Sequence, residues 1–99
     1  MSIKIVHDVA SHRFTAVVDG QLCVVDYHVA NSVMTITHTG VPEAVGGRGI
    51  AAELMKAAME AAAAAGWKVV PACSYAAAFM RKFPEFESLR FPDVHRKIL

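Results

Sequence analysis

Cysteine is scarce in this 99-residue chain: only Cys23 and Cys73 are present, with no CxxC spacing. That excludes a disulfide framework and a structural zinc site, and two free thiols fit a reducing, cytoplasmic setting. No charge sign dominates either. Ten Lys and Arg stand against nine Asp and Glu, a formal net charge of +1. The chain therefore carries no electrostatic footprint for nucleic acid or an anionic membrane. No apolar run approaches the ~18 residues that span a bilayer; the richest, Ala57 to Ala65, is broken by Glu60. The start reaches His7-Asp8 without the long apolar centre and small-residue cleavage site of a signal peptide. His7, His12, His28 and His95 show no metal-ligand spacing. There is no internal repeat, low-complexity tail or linker, and the length fits one domain over residues 1–99. The hydrophobic fraction of 55% is high, but much of the excess is alanine within one segment.

What is present reads as an α/β chain. Arg13 to Val18 is rich in strand formers, and Asp19-Gly20 supplies the two-residue turn that hairpins favour. Gln21 to Val29 follows as a second strand. Ala30-Asn31-Ser32 turns the chain into Val33 to Thr39, with Ile3 to His7 as a short edge strand. In Val33 to Thr39, strict alternation sends Met34, Ile36 and His38 to one face and Val33, Thr35, Thr37 and Thr39 to the other. After a loop over Gly40 to Arg48, the period becomes helical from Gly49 to Ala65. Ile50, Leu54, Ala58 and Ala61 make its apolar stripe, and Glu53, Lys56 and Glu60 share the wet face. Gly66 stops the helix. Trp67 to Pro71 is a short strand, and Ser74 to Lys82 a second helix offering Ala77, Phe79, Met80 and Phe83. Strand, helix and strand in this order predict a crossover, with 67–71 parallel to 33–39. Residues 85–99 fit either a short strand or a loose end.

Between strand and helix lies Gly46-Gly47-Arg48-Gly49-Ile50-Ala51. Glycines leading into a helix leave backbone N–H groups uncovered, and such amides attract phosphates. A Walker loop needs a lysine and a hydroxyl after its last glycine, and neither is there. The segment from Gly47 formally matches Gly-x-Gly-x-x-Ala. A dinucleotide fingerprint, however, needs a tight turn straight after a strand and an acid ~20 residues on, where this chain has Val69-Val70-Pro71. A bare turn is the remaining alternative.

At these residues the chain resembles the GNAT acetyltransferase superfamily, whose motif A reads Gln/Arg-x-x-Gly-x-Gly/Ala. Gly49 and Ala51 match it, and Gly46 departs from the usual Gln or Arg. Thr37-His38-Thr39-Gly40-Val41-Pro42, Val69-Val70-Pro71-Ala72-Cys73-Ser74-Tyr75 and Phe83-Pro84-Glu85-Phe86 extend the resemblance over about half the chain, to small single-domain GNAT-like proteins. It implies an antiparallel meander, then a helix–strand–helix unit whose parallel strands splay apart. It implies acetyl-coenzyme A as cofactor. The pyrophosphate would lie on the amides of Gly46, Gly47, Arg48, Gly49, Ile50 and Ala51, with Arg48 adding charge. The pantetheine arm would bond backbone near Thr39 and Val41. It implies an amine acceptor, either a small molecule or a protein tail. Members of the superfamily shape the acceptor pocket with helices that precede these strands. Here that side is open to a large acceptor or to a second subunit, a homo-oligomer included. A coenzyme A-binding regulatory module without catalysis is the alternative.

Acetyl transfer to an amine requires the amine to lose a proton and the departing thiolate to gain one. Cys73 begins the second helix, where terminal amides favour a thiolate; it is either a nucleophile or acetyl-site residue, or a small core residue. Cys23, inside a strand, is expected to pack. His38, ending the strand before the loop, is either the base, paired with Cys73, or a residue bonding backbone within the sheet. Tyr75 is placed to donate to the thiolate or line the pantetheine channel, or else to pack. Arg81 and Lys82 read either as contacts to adenosine phosphates or as a solvated helix face.

Overall fold

The computed structural model describes residues 3–92, so the end of the ambiguous 85–99 segment lies outside the described residues. Five strands form one sheet in chain order: β1 (Val6–Asp8), β2 (Arg13–Val18), β3 (Gln21–Ala30), β4 (Val33–Gly40) and β5 (Lys68–Pro71). The first four are antiparallel, and β5 runs parallel to β4 with Val33 opposite Lys68 and Ile36 opposite Pro71. Helix α1 (Ile50–Ala65) makes the crossover, and α2 (Ser74–Lys82) follows β5. Short 3₁₀ turns occupy Glu43–Val45 and Pro84–Leu89. Past the second turn, Arg90 forms a parallel bridge to Val69 and the Phe91 amide donates to the Val69 carbonyl. The edge strand is shorter than the expected Ile3–His7 and starts later.

One face of the sheet carries the core. Phe14, Ala16, Cys23, Val25, Tyr27, Met34, Ile36 and Val69 are buried there in one cluster with α1 and α2. Period-3.6 spacing brings Ile50, Leu54, Met55, Ala58, Met59 and Ala62 of α1 onto that face. The buried stripe is wider than the sequence reading, with both methionines in it and Ala61 only half-buried. In α2, Ala76, Phe79 and Met80 are buried, while Ala77 and Phe83 lie half-buried at the margin. Cys23 packs as expected, and burial pushes its thiol pKa up.

Strict alternation in β4 does not hold. The register shifts between Asp26 and Tyr27: Tyr27 faces Ile36, but Asp26 faces His38. Thr37 is therefore the extra residue of a β-bulge, and its Oγ1 donates to the Asp26 carbonyl at 3.3 Å. A one-residue insertion exchanges the faces beyond it. Thr39, opposite buried Val25, turns to the helix side, and His38, opposite Asp26, turns to the face away from α1 and α2. The expected grouping of His38 with Met34 and Ile36 is thus corrected.

The edge of the sheet carries a pH-sensitive contact. His7 stacks on Phe14 with centroids 4.0 Å apart, and its Nε2 is hydrogen-bonded to the Tyr27 hydroxyl. Burial lowers the His7 pKa from its ordinary 6.5, Asp8 opposes that fall, and His12 adds to it. The folded state therefore favours neutral His7. Its contribution is present above the unfolded value and is lost as pH falls from about 6.5 through the lower folded one. Melting temperatures at pH 7.5 and 5.5 are expected to differ less in His7→Gln than in the native chain.

Candidate active site

The parallel pairing of β4 with β5 ends early. Ile36 opposite Pro71 is the last pair, and the amides of Ala72 and Cys73 both donate to the Ile36 carbonyl, at 3.0 and 3.1 Å. Beyond Ile36, β4 stays on β3 through Gly40, while the other chain turns away into α2. Among the described residues, then, no strand pairs with 37–40 of β4 on the β5 side. A wedge opens there, with unpaired backbone along one wall.

The glycine loop follows β4 in the chain, after the 3₁₀ turn at Glu43–Val45 and before α1. The Gly46 amide donates to Glu43 O at 3.0 Å, so it is engaged within the 3₁₀ turn. The next recorded backbone donor is Glu53, to Gly49 O. Among the described residues, the amides from Gly47 to Ala52 have no hydrogen-bond partner. Gly47 and Gly49 both sit at φ 78, and a Cβ on either would meet nothing within 4 Å. Ile50 points its side chain into the core, which fixes the first turn of α1. Bare amides under open space, at a helix start, fit a diphosphate. Arg48 does not lean over this space: its Nη1 donates to Asp19 Oδ2 at 2.7 Å. Val41 is half-buried against the core, just past β4.

Cys73 caps α2. Its Sγ accepts from the Ala76 amide at 3.4 Å and lies 3.5 Å from Thr39 Oγ1. Its recorded side-chain partner is thus Thr39, which the bulge turned toward it. His38 faces the opposite side of the sheet, so the expected His38–Cys73 pair is not formed. The His38 ring folds over Gly40, with Nε2 only 3.0 Å from where a Cβ would stand. Beside it, Arg13 holds Asp26 through two bonds, at 2.7 and 3.3 Å. Tyr75, on the first turn of α2, is 36% exposed with its ring 6.4 Å from that of Phe79. Burial raises its phenol pKa, so it stays a proton donor at neutral pH. Arg81 and Lys82 are exposed, and Lys82 Nζ lies 5.9 Å from the Phe83 ring centre.

Three features were not read from the sequence. The bulge at Thr37 and the vacancy at Gly40 position His38. The third is a cleft of about 210 Å³ beside the first turn of α1, where Ala52, Glu53 and Lys56 face Phe79, Phe83, Glu85 and Phe86. The bulge leaves no local sequence signal. The Phe79–Phe83 spacing of i,i+4 is the signal that could have marked a shared aromatic face.

Residues 13–89 match the family described as GCN5-related N-acetyl-transferase. The chain belongs to that family. The family is one of acetyltransferases. A GCN5-related chain of similar build is the solution structure of a GCN5-like candidate N-acetyltransferase from Staphylococcus aureus. It is 28% identical, with a TM-score of 0.70 over 91% of this chain and 87% of that one. No curated protein matches the chain. The GNAT-like mixed sheet, with β4 and β5 parting past Ile36, is the architecture the sequence implied.

Proposed function

We propose that the protein transfers an acetyl group from acetyl-coenzyme A to an amine. The observation that carries this is the run of partnerless amides, Gly47 to Ala52, leading into α1 in a chain whose strands β4 and β5 part past Ile36. Those amides would hold the diphosphate, and the unpaired 37–40 backbone, Thr39 included, would bond the pantetheine amides. The aromatic-floored cleft beside α1 offers apolar surface to the rest of the cofactor. Acetyl-coenzyme A supplies an acetyl group on a thioester. The chain supplies the proton traffic.

His38, exposed on the face opposite α1 and α2, would receive the proton of an amine that enters the wedge from that face. Tyr75 stands on the helix side as the group whose phenol proton would pass to the departing thiolate, and Thr39 Oγ1 would donate a hydrogen bond to that sulfur. Cys73 lines the acetyl position without attacking. Its sulfur is engaged as a helix cap, and His38 lies across the sheet from it, so transfer is direct. The open sheet face around His38 admits an amine on a large molecule as readily as a small one.

Calorimetric titration with coenzyme A, followed by turnover against a panel of amines, tests the reading. Binding together with turnover is expected; absence of binding would remove it, and binding without turnover would leave a cofactor-binding module. Cys73 separates the two routes. Acetyl-coenzyme A without acceptor is expected to leave the intact protein mass unchanged, and Cys73→Ser is expected to stay active. A gain of one acetyl group at Cys73 would reverse the assignment. The same site predicts a stability difference. Serine can accept from the Ala76 amide and alanine cannot, so Cys73→Ala should lose about 0.5–1 kcal/mol more than Cys73→Ser in urea unfolding.

A further inference from the structure

The glycine loop has one cation, and a carboxylate from elsewhere in the chain already holds it. Arg48 lies between Gly47 and Gly49, both at φ 78, and its Nη1 donates to Asp19 Oδ2 at 2.7 Å. Asp19 forms the tip of the β2–β3 hairpin, at φ 51, followed by Gly20 at φ 75. The tight turn fixes where that carboxylate stands, and the two residues are 29 apart in sequence. Both partners are open to water, with side chains 39% and 65% exposed. Such a pair is weak and readily exchanged, whereas an Arg–phosphate contact can be bidentate and stronger. The Arg48 amide belongs to the partnerless run, so its side chain grows from the wall of the anion position itself.

We infer that Asp19 competes with the ligand's diphosphate for Arg48, and so sets the affinity of the site and its preference for diphosphate-bearing ligands. Without ligand, Arg48 is docked on the hairpin tip. With ligand, the phosphate takes the guanidinium and Asp19 is released to solvent. This inference rests on the cofactor reading above. It goes beyond it in giving the tip of the β2–β3 hairpin a place in ligand selection.

Asp19→Asn is the informative variant, because asparagine tolerates the left-handed backbone of the turn. Calorimetry at low salt would compare coenzyme A with S-acetylpantetheine, which lacks the diphosphate. Asp19→Asn is expected to tighten coenzyme A by about two- to fivefold, the range open to an exposed pair, and to leave S-acetylpantetheine unchanged. In an Arg48→Gln background the gain should vanish. Equal tightening with and without Arg48 would reduce Asp19 to a distant negative charge and overturn the competition. So would unchanged coenzyme A affinity in Asp19→Asn while the native chain binds normally. Failure of the native chain to bind coenzyme A would instead remove the cofactor reading, and this inference with it.

Discussion

Replacing Gly49 by valine is expected to abolish measurable coenzyme A binding and to lower the melting temperature by about 5–15 °C. The two effects have different origins. Gly49 caps α1 at φ 78, in the left-handed region. A side chain there costs on the order of 1–2 kcal/mol, more when β-branched, and for a chain of this size each kcal/mol shifts the midpoint by about 4–8 °C. The Cβ itself clashes with nothing in the protein. It stands in the open space above the partnerless amides, where the ligand's phosphates would lie. Gly66→Val is the matched control. Gly66 ends α1 at φ 77, also with open space around its Cβ, so it should carry the thermal loss without the binding loss. Coenzyme A affinity in Gly49→Val within threefold of native would place the diphosphate elsewhere.

Why Gly49 was legible and other parts of the site were not follows from the range of the interactions involved. A glycine ahead of a helical period is a local signal, as are Asp19-Gly20, Gly66 and the strand formers between them. Each acts through its own backbone or its nearest neighbours, and the observed elements start and end within a few residues of those marks. The parallel β4–β5 pairing followed from the order strand, helix, strand, together with the short apolar 67–71 run. The bulge at Thr37 is different in kind. It exists because β3 and β4 contain unequal numbers of residues between their matched pairs, a property of two segments and not of one. A period of two read along β4 alone cannot see it, and it reversed the faces of His38 and Thr39. The same holds for Arg48. As a sequence feature it is a cation in a phosphate loop, and only the fold brings Asp19 to within 2.7 Å of it.

His38→Gln is expected to lower kcat by about 10²–10⁴-fold, the range for loss of a general base, with coenzyme A affinity and melting temperature close to native. The second half of that expectation comes from the structure. His38 is exposed, takes no part in the core, and has no recorded hydrogen bond that folding depends on. Its ring rests over Gly40 on the face away from α1 and α2, while the cofactor contacts proposed for Thr39 and the loop lie on other surfaces of the same strand end. A loss confined to kcat therefore separates a proton acceptor from a structural residue. Gly40→Ala adds a geometric check, because its Cβ would stand 3.0 Å from His38 Nε2 and the ring would have to give by a few tenths of an ångström. That variant should reproduce part of the kcat loss while keeping the imidazole. If His38→Gln keeps kcat within threefold, the amine loses its proton to another group, and His38 is only a surface residue of the bulge.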